Sequence, residues 1–273
     1  KSLPFWECQF ESGRGHHNMK INFAIDNTNK AKHFKKTFIK MYKNSSPKVA
    51  DVIVVIGGDG FMLKTLKKFQ KYNKPFYGMN RGTFGFLMNK FKISNLDKSI
   101  RKAKLFSISP LSIKANNNKN KVLYSYAINE VSLLRQSKQT SSLQIVAQNK
   151  IIIKKLVADG VLVSTPAGST GYNLSVHGPI LSLDSKKIAV TPISPFRPRR
   201  WKGKILPSLS TIKIINLNTK KRPVSVVADN VEIRNIKSVN IKTNNHIKFK
   251  LLYDRNSSLT KKIKLEQIRN ETK

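Results

Sequence analysis

The segment DVIVVIGGDGFMLKTLKKFQ, residues 51–70, constrains the fold more than any other stretch of the chain. Its apolar run is rich in Val and Ile and has no polar alternation, the pattern of a strand buried on both faces, and such strands belong to parallel sheets covered by helices. Beyond the glycines the apolar residues fall at helical spacing, with Met62, Leu66 and Phe69 on one side. Upstream, KINFAID reads as a short strand and residues 30–43 as a basic amphipathic helix; downstream, KPFYGMN reads as another strand. These β-α-β steps predict an α/β N-terminal domain, residues 19–101, with a Rossmann-like parallel sheet. Ligands of such sheets lie beyond the carboxyl ends of the strands, and the GGDG turn occupies that end.

After Lys104 the character changes. KLFSISPLSIKA, KVLYSYAINEVSLL, KIIIKKLVADGVLVST, STIKIINL, PVSVVADNVEIR and IKFKLLY are short runs rich in Ile, Val and Ser, punctuated by Asn, Pro and Lys. That density predicts a mainly-β, sandwich-like C-terminal domain over residues 102–255. Residues 256–273 are expected to form a helix or tail that packs back on the first domain. Residues 1–18 lack periodicity and read as a leader or non-core segment, with Met19 opening the folded unit.

In the GGDG turn, Gly57, Gly58 and Gly60 can let backbone amides approach phosphate oxygens. The turn is neither G-x-G-x-x-G nor a Walker sequence, since Lys64 does not stand in G-K-[ST]. Asp59 is the informative residue. A carboxylate repels phosphate unless it holds a metal ion or takes a proton from an incoming hydroxyl, and phosphoryl transfer from a nucleotide to a hydroxyl uses both functions. The competing reading is a glycine-rich turn whose aspartate bonds locally.

Two further blocks carry chemistry. STPAGSTGYNLS sets Ser164, Thr165, Ser169 and Thr170 around Gly168 and Gly171, a composition that suits either hydrogen bonding to a nucleotide or the cap of a helix beginning near Tyr172. SPFRPRRWKGK brings Arg197, Arg199 and Arg200 together, to neutralise phosphates or to form a solvated basic loop. His177 could donate to a phosphate or be structural, and Asp159, read alone, could be a turn aspartate.

Composition narrows the classes. The net charge of +38, from 52 Lys and Arg against 14 Asp and Glu, could draw nucleic acid, but the lysines are spread through nearly every segment; the charge favours small, multiply anionic substrates. No apolar run approaches the length of a membrane span. One cysteine, Cys8, admits no internal disulfide and points to a reducing cytoplasm. His16 and His17 are not expected to be catalytic, and no metal site is assigned directly.

Together GGDG, NRGTFGFL, NEVSL, DGVLVSTPAGSTGYNLSVHGP and TPISPFRPRRW resemble the bacterial NAD kinases, in that family's order and over most of residues 50–201. GGDG is shared with diacylglycerol-type lipid kinases, but GMNRGTFGFLMN replaces the stretch that follows it there. A lipid kinase and a non-enzymatic nucleic-acid-binding protein are the alternatives. The resemblance implies transfer of the γ-phosphoryl group of ATP, or of polyphosphate in some members, to the 2'-hydroxyl of the adenosine ribose of NAD, giving NADP. It implies Mg2+ carried with ATP near Asp59, substrate sites between the domains, and a homodimer or homotetramer without specific nucleic-acid or membrane partners. Asp59 matches the aspartate that activates the hydroxyl. Asn129 and Glu130 match an Asn-Glu pair whose amide reads adenine and whose carboxylate accepts from ribose hydroxyls; without the family, one of them would face outward from a strand. Asp159 matches a residue near the nicotinamide end. Ala167, Thr170, Tyr172 and Ser175 match positions facing the dinucleotide, with Ser169 and Gly171 in the same loop; Gly171 stands where many members have Ala, and SVHGP replaces the commoner SAGGP. Asp229 matches an aspartate usually followed by glycine. Asn230 follows it here, a residue that tolerates left-handed backbone.

Overall fold

The computed structural model describes residues 19–82 and 85–255, so the expectations for residues 1–18 and 256–273 lie outside it. The described residues divide into two compact units, 19–106 with 249–255, and 107–248.

The first unit contains β1 (Ile21–Ile25), α1 (Asn29–Lys32), α2 (Lys35–Tyr42), β2 (Val52–Gly57), α3 (Asp59–Phe69), β3 (Pro75–Asn80), α4 (Leu96–Lys102), most of β4 (Lys104–Ile108) and the last strand in chain order, β16 (Phe249–Tyr253). The sheet order is β1-β2-β3-β16-β4, and β1 with β2, β2 with β3 and β3 with β16 run parallel. Every residue of β2 is buried, as its unbroken apolar run requires. Val52, Val54 and Ile56 pack with Ile21, Phe23, Phe38, Tyr77, Met79 and Leu252. Each such aliphatic side chain contributes roughly 1.5–3 kcal/mol by leaving water.

Two expectations change here. The helix predicted over residues 30–43 is broken at His33 and Phe34, where the Phe34 ring meets Phe91 at 4.8 Å between centroids and lies 4.5 Å from the Arg81 guanidinium. The strands Lys104–Ile108 and Phe249–Tyr253, read as part of the β domain, stand in the first sheet instead. Phe249, Leu251, Leu252 and Tyr253 are buried, and Leu252 joins the core beside β3. Their apolar content fits either sheet, and only long-range pairing decides between them.

The second unit is an antiparallel sheet of β5 (Leu111–Asn117), β6 (Val122–Ala127), β7 (Glu130–Arg135), β8 (Ser141–Ala147), β9 (Lys150–Ser164), β10 (Lys187–Arg197), β11 (Lys204–Pro207), β12 (Ile212–Asn216), β13 (Val224–Ala228), β14 (Val231–Ile233) and β15 (Ile236–Thr243), with one short helix, α5 (Tyr172–Ser175). The 15-residue β9 organises it. Its first part pairs with β8 and its second with β7, both along one edge, while β10 takes the other. Leu133, Leu143, Leu156, Val161, Val190, Ile214, Val226 and Val239, drawn from most of these strands, share one core, so the sheet closes nearly into a barrel. Gly160 permits the tight pairing of β7 and β9, since an added Cβ would lie 2.0 Å from the Leu133 carbonyl oxygen.

Candidate functional site

Asp59 opens α3 directly after β2, with Gly58 as the N-cap in extended conformation. One carboxylate oxygen accepts the Phe86 amide at 2.8 Å and the other the Leu87 amide at 3.0 Å. These bonds reach 27 and 28 residues along the chain, so they are not bonding within the glycine turn, and they fix the carboxylate's orientation. The Gly82 and Gly58 loops touch, an added Cβ at Gly82 lying 3.2 Å from Gly58 Cα, and Gly57 has no room for a side chain beside Phe61. Gly60 is different: a Cβ there would meet nothing within 4 Å. Close packing explains Gly57, but it does not explain Gly60.

In the second unit the bend at Ile128 and Asn129 joins β6 to β7 and is held from two directions. The Asp229 carboxylate accepts the Ile128 amide at 2.8 Å and the Asn129 amide at 2.9 Å, and the Asp229 amide donates to the Glu130 carbonyl. From the other side, Thr165 Oγ1 donates to the Ile128 carbonyl at 2.7 Å, and the Thr165 amide donates to that of Asn129. Gly168 lies so close to Asn129 that a Cβ would stand 2.2 Å from its carbonyl oxygen. A Cβ at Gly171 would sit 3.5 Å from Glu130 Oε2 and 3.9 Å from Asn129 Nδ2, an ordinary contact. Asn129, Glu130 and the Gly168–Gly171 turn thus form one cluster.

Within that cluster Asn129 Oδ1 and Glu130 Oε2 are buried without a hydrogen-bond partner among the described residues. Burial, then the neighbouring Asp229 charge, raises the Glu130 carboxyl to about 7. Tyr172 is raised by burial first and then by Asp159 and Glu130, and Tyr126 by burial and then Asp229. Asp159 is not a turn residue: it lies inside β9 and pairs with Arg135 Nε at 2.5 Å.

The remaining residues divide. Ala167 and Thr170 are buried and Ser175 and His177 exposed. The Ser169 hydroxyl donates to the Pro166 carbonyl at 2.7 Å and accepts the Leu181 amide at 3.0 Å, so the loop itself uses it. Neither Ser169 nor Thr170 caps α5, whose N-cap is Gly171 without any side-chain bond; the four-residue helix is tied instead through Asn173. Asn173 is fully buried, donates to the Ser169 and Pro179 carbonyls and accepts from Thr191 Oγ1 at 2.7 Å. Sequence reasoning passed over Asn173 and Thr191; the polar density around Asn173 was the available signal. Left-handed backbone occurs at Asp229, φ 51°, and not at Asn230 as expected. Arg197, Arg199 and Arg200 are exposed, with the first two guanidinium groups 5.4 and 5.8 Å from the Phe196 ring.

Residues 9–104 match the ATP-NAD kinase N-terminal domain family and residues 128–249 the ATP-NAD kinase C-terminal domain family. The chain belongs to the NAD kinase family. It is 44% identical over 250 residues to the NAD kinase of Brucella melitensis, covering 92% of this chain and 97% of that protein. It is 46% identical over 244 residues to that of Zymomonas mobilis, covering 89% and 95%. Among solved structures, yeast NADH kinase complexed with NADH superposes with a TM-score of 0.70 at 25% identity, over 82% of this chain and 68% of that one. An NAD kinase from Archaeoglobus fulgidus in complex with ATP shares the fold, with a TM-score of 0.68 at 21% identity, over 87% and 94%. The lipid-kinase and nucleic-acid-binding alternatives receive no support from these matches.

Proposed function

We propose that this NAD kinase uses Asp59 to receive the proton of the adenosine ribose 2'-hydroxyl of NAD as that oxygen attacks the γ-phosphorus of ATP. The bond from the γ-phosphorus to the β–γ bridging oxygen breaks, and NADP and ADP leave. Phosphorylation of NAD to NADP with ATP is the activity of the family to which the chain belongs. At the residue level, one observation carries the reading: Asn129 Oδ1 and Glu130 Oε2 are buried and, among the described residues, unpartnered in a bend whose backbone is otherwise pinned. Unpaired buried polar atoms are costly, and a ligand that supplies donors relieves them. In this reading the Asn129 amide faces the adenine edge and Glu130 the ribose hydroxyls. Ala167, Thr170, Gly171, Tyr172 and Ser175 line the dinucleotide, and Asp159 lies toward its nicotinamide end. Gly57, Gly58 and Gly60 face the ATP phosphates, with Arg197, Arg199, Arg200 and His177 as further anion contacts.

Among the described residues no group of three or more His, Cys, Asp or Glu side chains could hold a metal ion. Mg2+ is read as travelling on the triphosphate, which usually supplies its ligands, with the Asp59 carboxylate at hand; when bound it would neutralise phosphate charge. No described helix is long and apolar enough to cross a membrane. With its single cysteine, the protein is read as a cytoplasmic homodimer or homotetramer.

Purified protein with ATP and Mg2+, offered NAD, NADH, diacylglycerol or no acceptor, tests the reading by product identification. NADP formation is expected with NAD; phosphorylated lipid, or ATP consumed without any phosphorylated acceptor, contradicts it.

A further inference from the structure

We propose that Asp229 is a positioning residue for the dinucleotide, acting only through the Ile128–Glu130 bend and making no contact with substrate itself. The inference rests on the NAD kinase reading of that bend. Its basis is the pairing of both Asp229 carboxylate oxygens with the backbone of the bend: they accept successive amides, Ile128 at 2.8 Å and Asn129 at 2.9 Å. Two donors one residue apart fix both the position and the rotation of a peptide segment, as a single bond would not. The Asp229 amide bonds the Glu130 carbonyl, which closes a reciprocal clasp between the β13–β14 turn and the start of β7. Asp229 adopts left-handed backbone there, φ 51°, a geometry that Asp tolerates better than most residues and that aims its carboxylate back at the bend.

Thr165 holds the carbonyl side of the same bend, through Ile128 O and Asn129 O. The backbone is thus satisfied from both sides, while the side-chain atoms Asn129 Oδ1 and Glu130 Oε2 are left buried and unpaired. An arrangement that pins the backbone of the bend from both sides and leaves these two side-chain acceptors waiting is a preorganised receptor: the rigidity resides in the Asp229 and Thr165 clasps, the recognition in Asn129 and Glu130. Asp229 also raises the Glu130 carboxyl by its charge, in addition to burial.

The test uses the full chain with Asp229→Ala, Asp229→Asn, Asn129→Ala and the double variant Asn129→Ala/Asp229→Asn. The unsubstituted enzyme is assayed first; if it makes no NADP, the underlying reading fails and the positioning question does not arise. With that activity in hand, Asp229→Ala is expected to raise KM for NAD at least 10-fold while kcat and KM for ATP stay within about 3-fold. Asp229→Asn keeps one carbonyl-type acceptor but places an NH2 against the second amide, so its KM should lie between those of Asp229→Ala and the parent. If Asp229→Ala does not fold, Asp229→Asn carries the comparison. In the Asn129→Ala background Asp229→Asn should raise KM by a smaller factor than it does alone, because one of the two side chains that Asp229 positions is already gone. Hydrogen exchange at the Ile128 and Asn129 amides should accelerate in the Asp229 variants while amides in the middle of β9 keep their protection. A fall in kcat without a change in KM for NAD, full additivity with Asn129→Ala, or unchanged exchange at the two amides would overturn the proposal.

Discussion

A carboxylate that accepts two backbone amides can still receive a proton, because each oxygen keeps a second lone pair. Asp59 is held in that way by Phe86 and Leu87. Asp59→Asn should lower turnover by at least about 100-fold, the usual scale of general-base assistance, with KM for NAD little changed. Near-normal turnover at saturating ATP, NAD and Mg2+, in a variant shown to be folded, refutes the proton-accepting role. Glu130 makes a prediction about stability. Its carboxyl is raised in the folded protein from 4.5 to about 7, chiefly by burial and then by Asp229, so the folded state binds the proton more tightly than the unfolded chain. That contribution is complete below the unfolded value and is lost as pH climbs through about 7. Glu130→Gln should therefore flatten the pH dependence across this window and be relatively more stable at pH 8, by on the order of 1–3 kcal/mol, read from urea denaturation at pH 4.5 and pH 8. A pH slope identical to that of the parent counts against a raised carboxyl. At this scale the placement of Asp59 at the turn between β2 and α3 was legible, because an apolar run followed by a helical pattern is local information. The bonds of Asp229 were not legible, because its two partners lie about a hundred residues earlier in the chain and no pattern near Asp229 announces them.

Among the elements, the glycines of the two loops separate packing from ligand approach. Gly168→Ala places a methyl group 2.2 Å from the Asn129 carbonyl oxygen, so the loop or the bend must shift, with a loss of about 1–3 kcal/mol typical of overpacking and a raised KM for NAD. Gly60→Ala meets open space near the start of α3, where Ala is the better helix former, so stability should hold or rise by up to about 1 kcal/mol. If that space is where the ATP phosphates approach, KM for ATP rises in the same variant; an unchanged KM removes Gly60 from the phosphate reading. At the end of β10 and in the turn after it, single Gln replacements of Arg197, Arg199 and Arg200 distinguish a solvated face from an anion contact. At least one is expected to weaken nucleotide binding by about 1.5–3 kcal/mol with an effect that shrinks as salt rises, and three silent variants would make the cluster an ordinary surface. The strands themselves were legible, β9 most of all, because alternation and β-branched content are written along each one. The break at His33–Phe34 was not, since it accompanies contacts to Phe91 and Arg81 far along the chain.

For the whole molecule, 52 cationic side chains against 14 anionic ones imply self-repulsion that counterions relieve. Raising NaCl from about 10 mM to about 300 mM shortens the screening length several-fold and should raise Tm by a few degrees; a flat or falling Tm would show that the charges are already well dispersed. The two-part architecture was readable as a change of pattern after residue 101, but the return of the chain into the first sheet was not. That return has a consequence for biosynthesis. β16 lies between β3 and β4, and in the order of the sheet β4 has no other neighbour. A ribosome delivers β4 early and β16 only after all of residues 107–248 have emerged. At about 5–20 residues per second the nascent chain carries one open edge on β3 and one unclaimed strand for on the order of ten seconds. During that interval the β unit can complete itself, while the sheet beside the GGDG turn waits for β16 with an edge exposed to wrong partners.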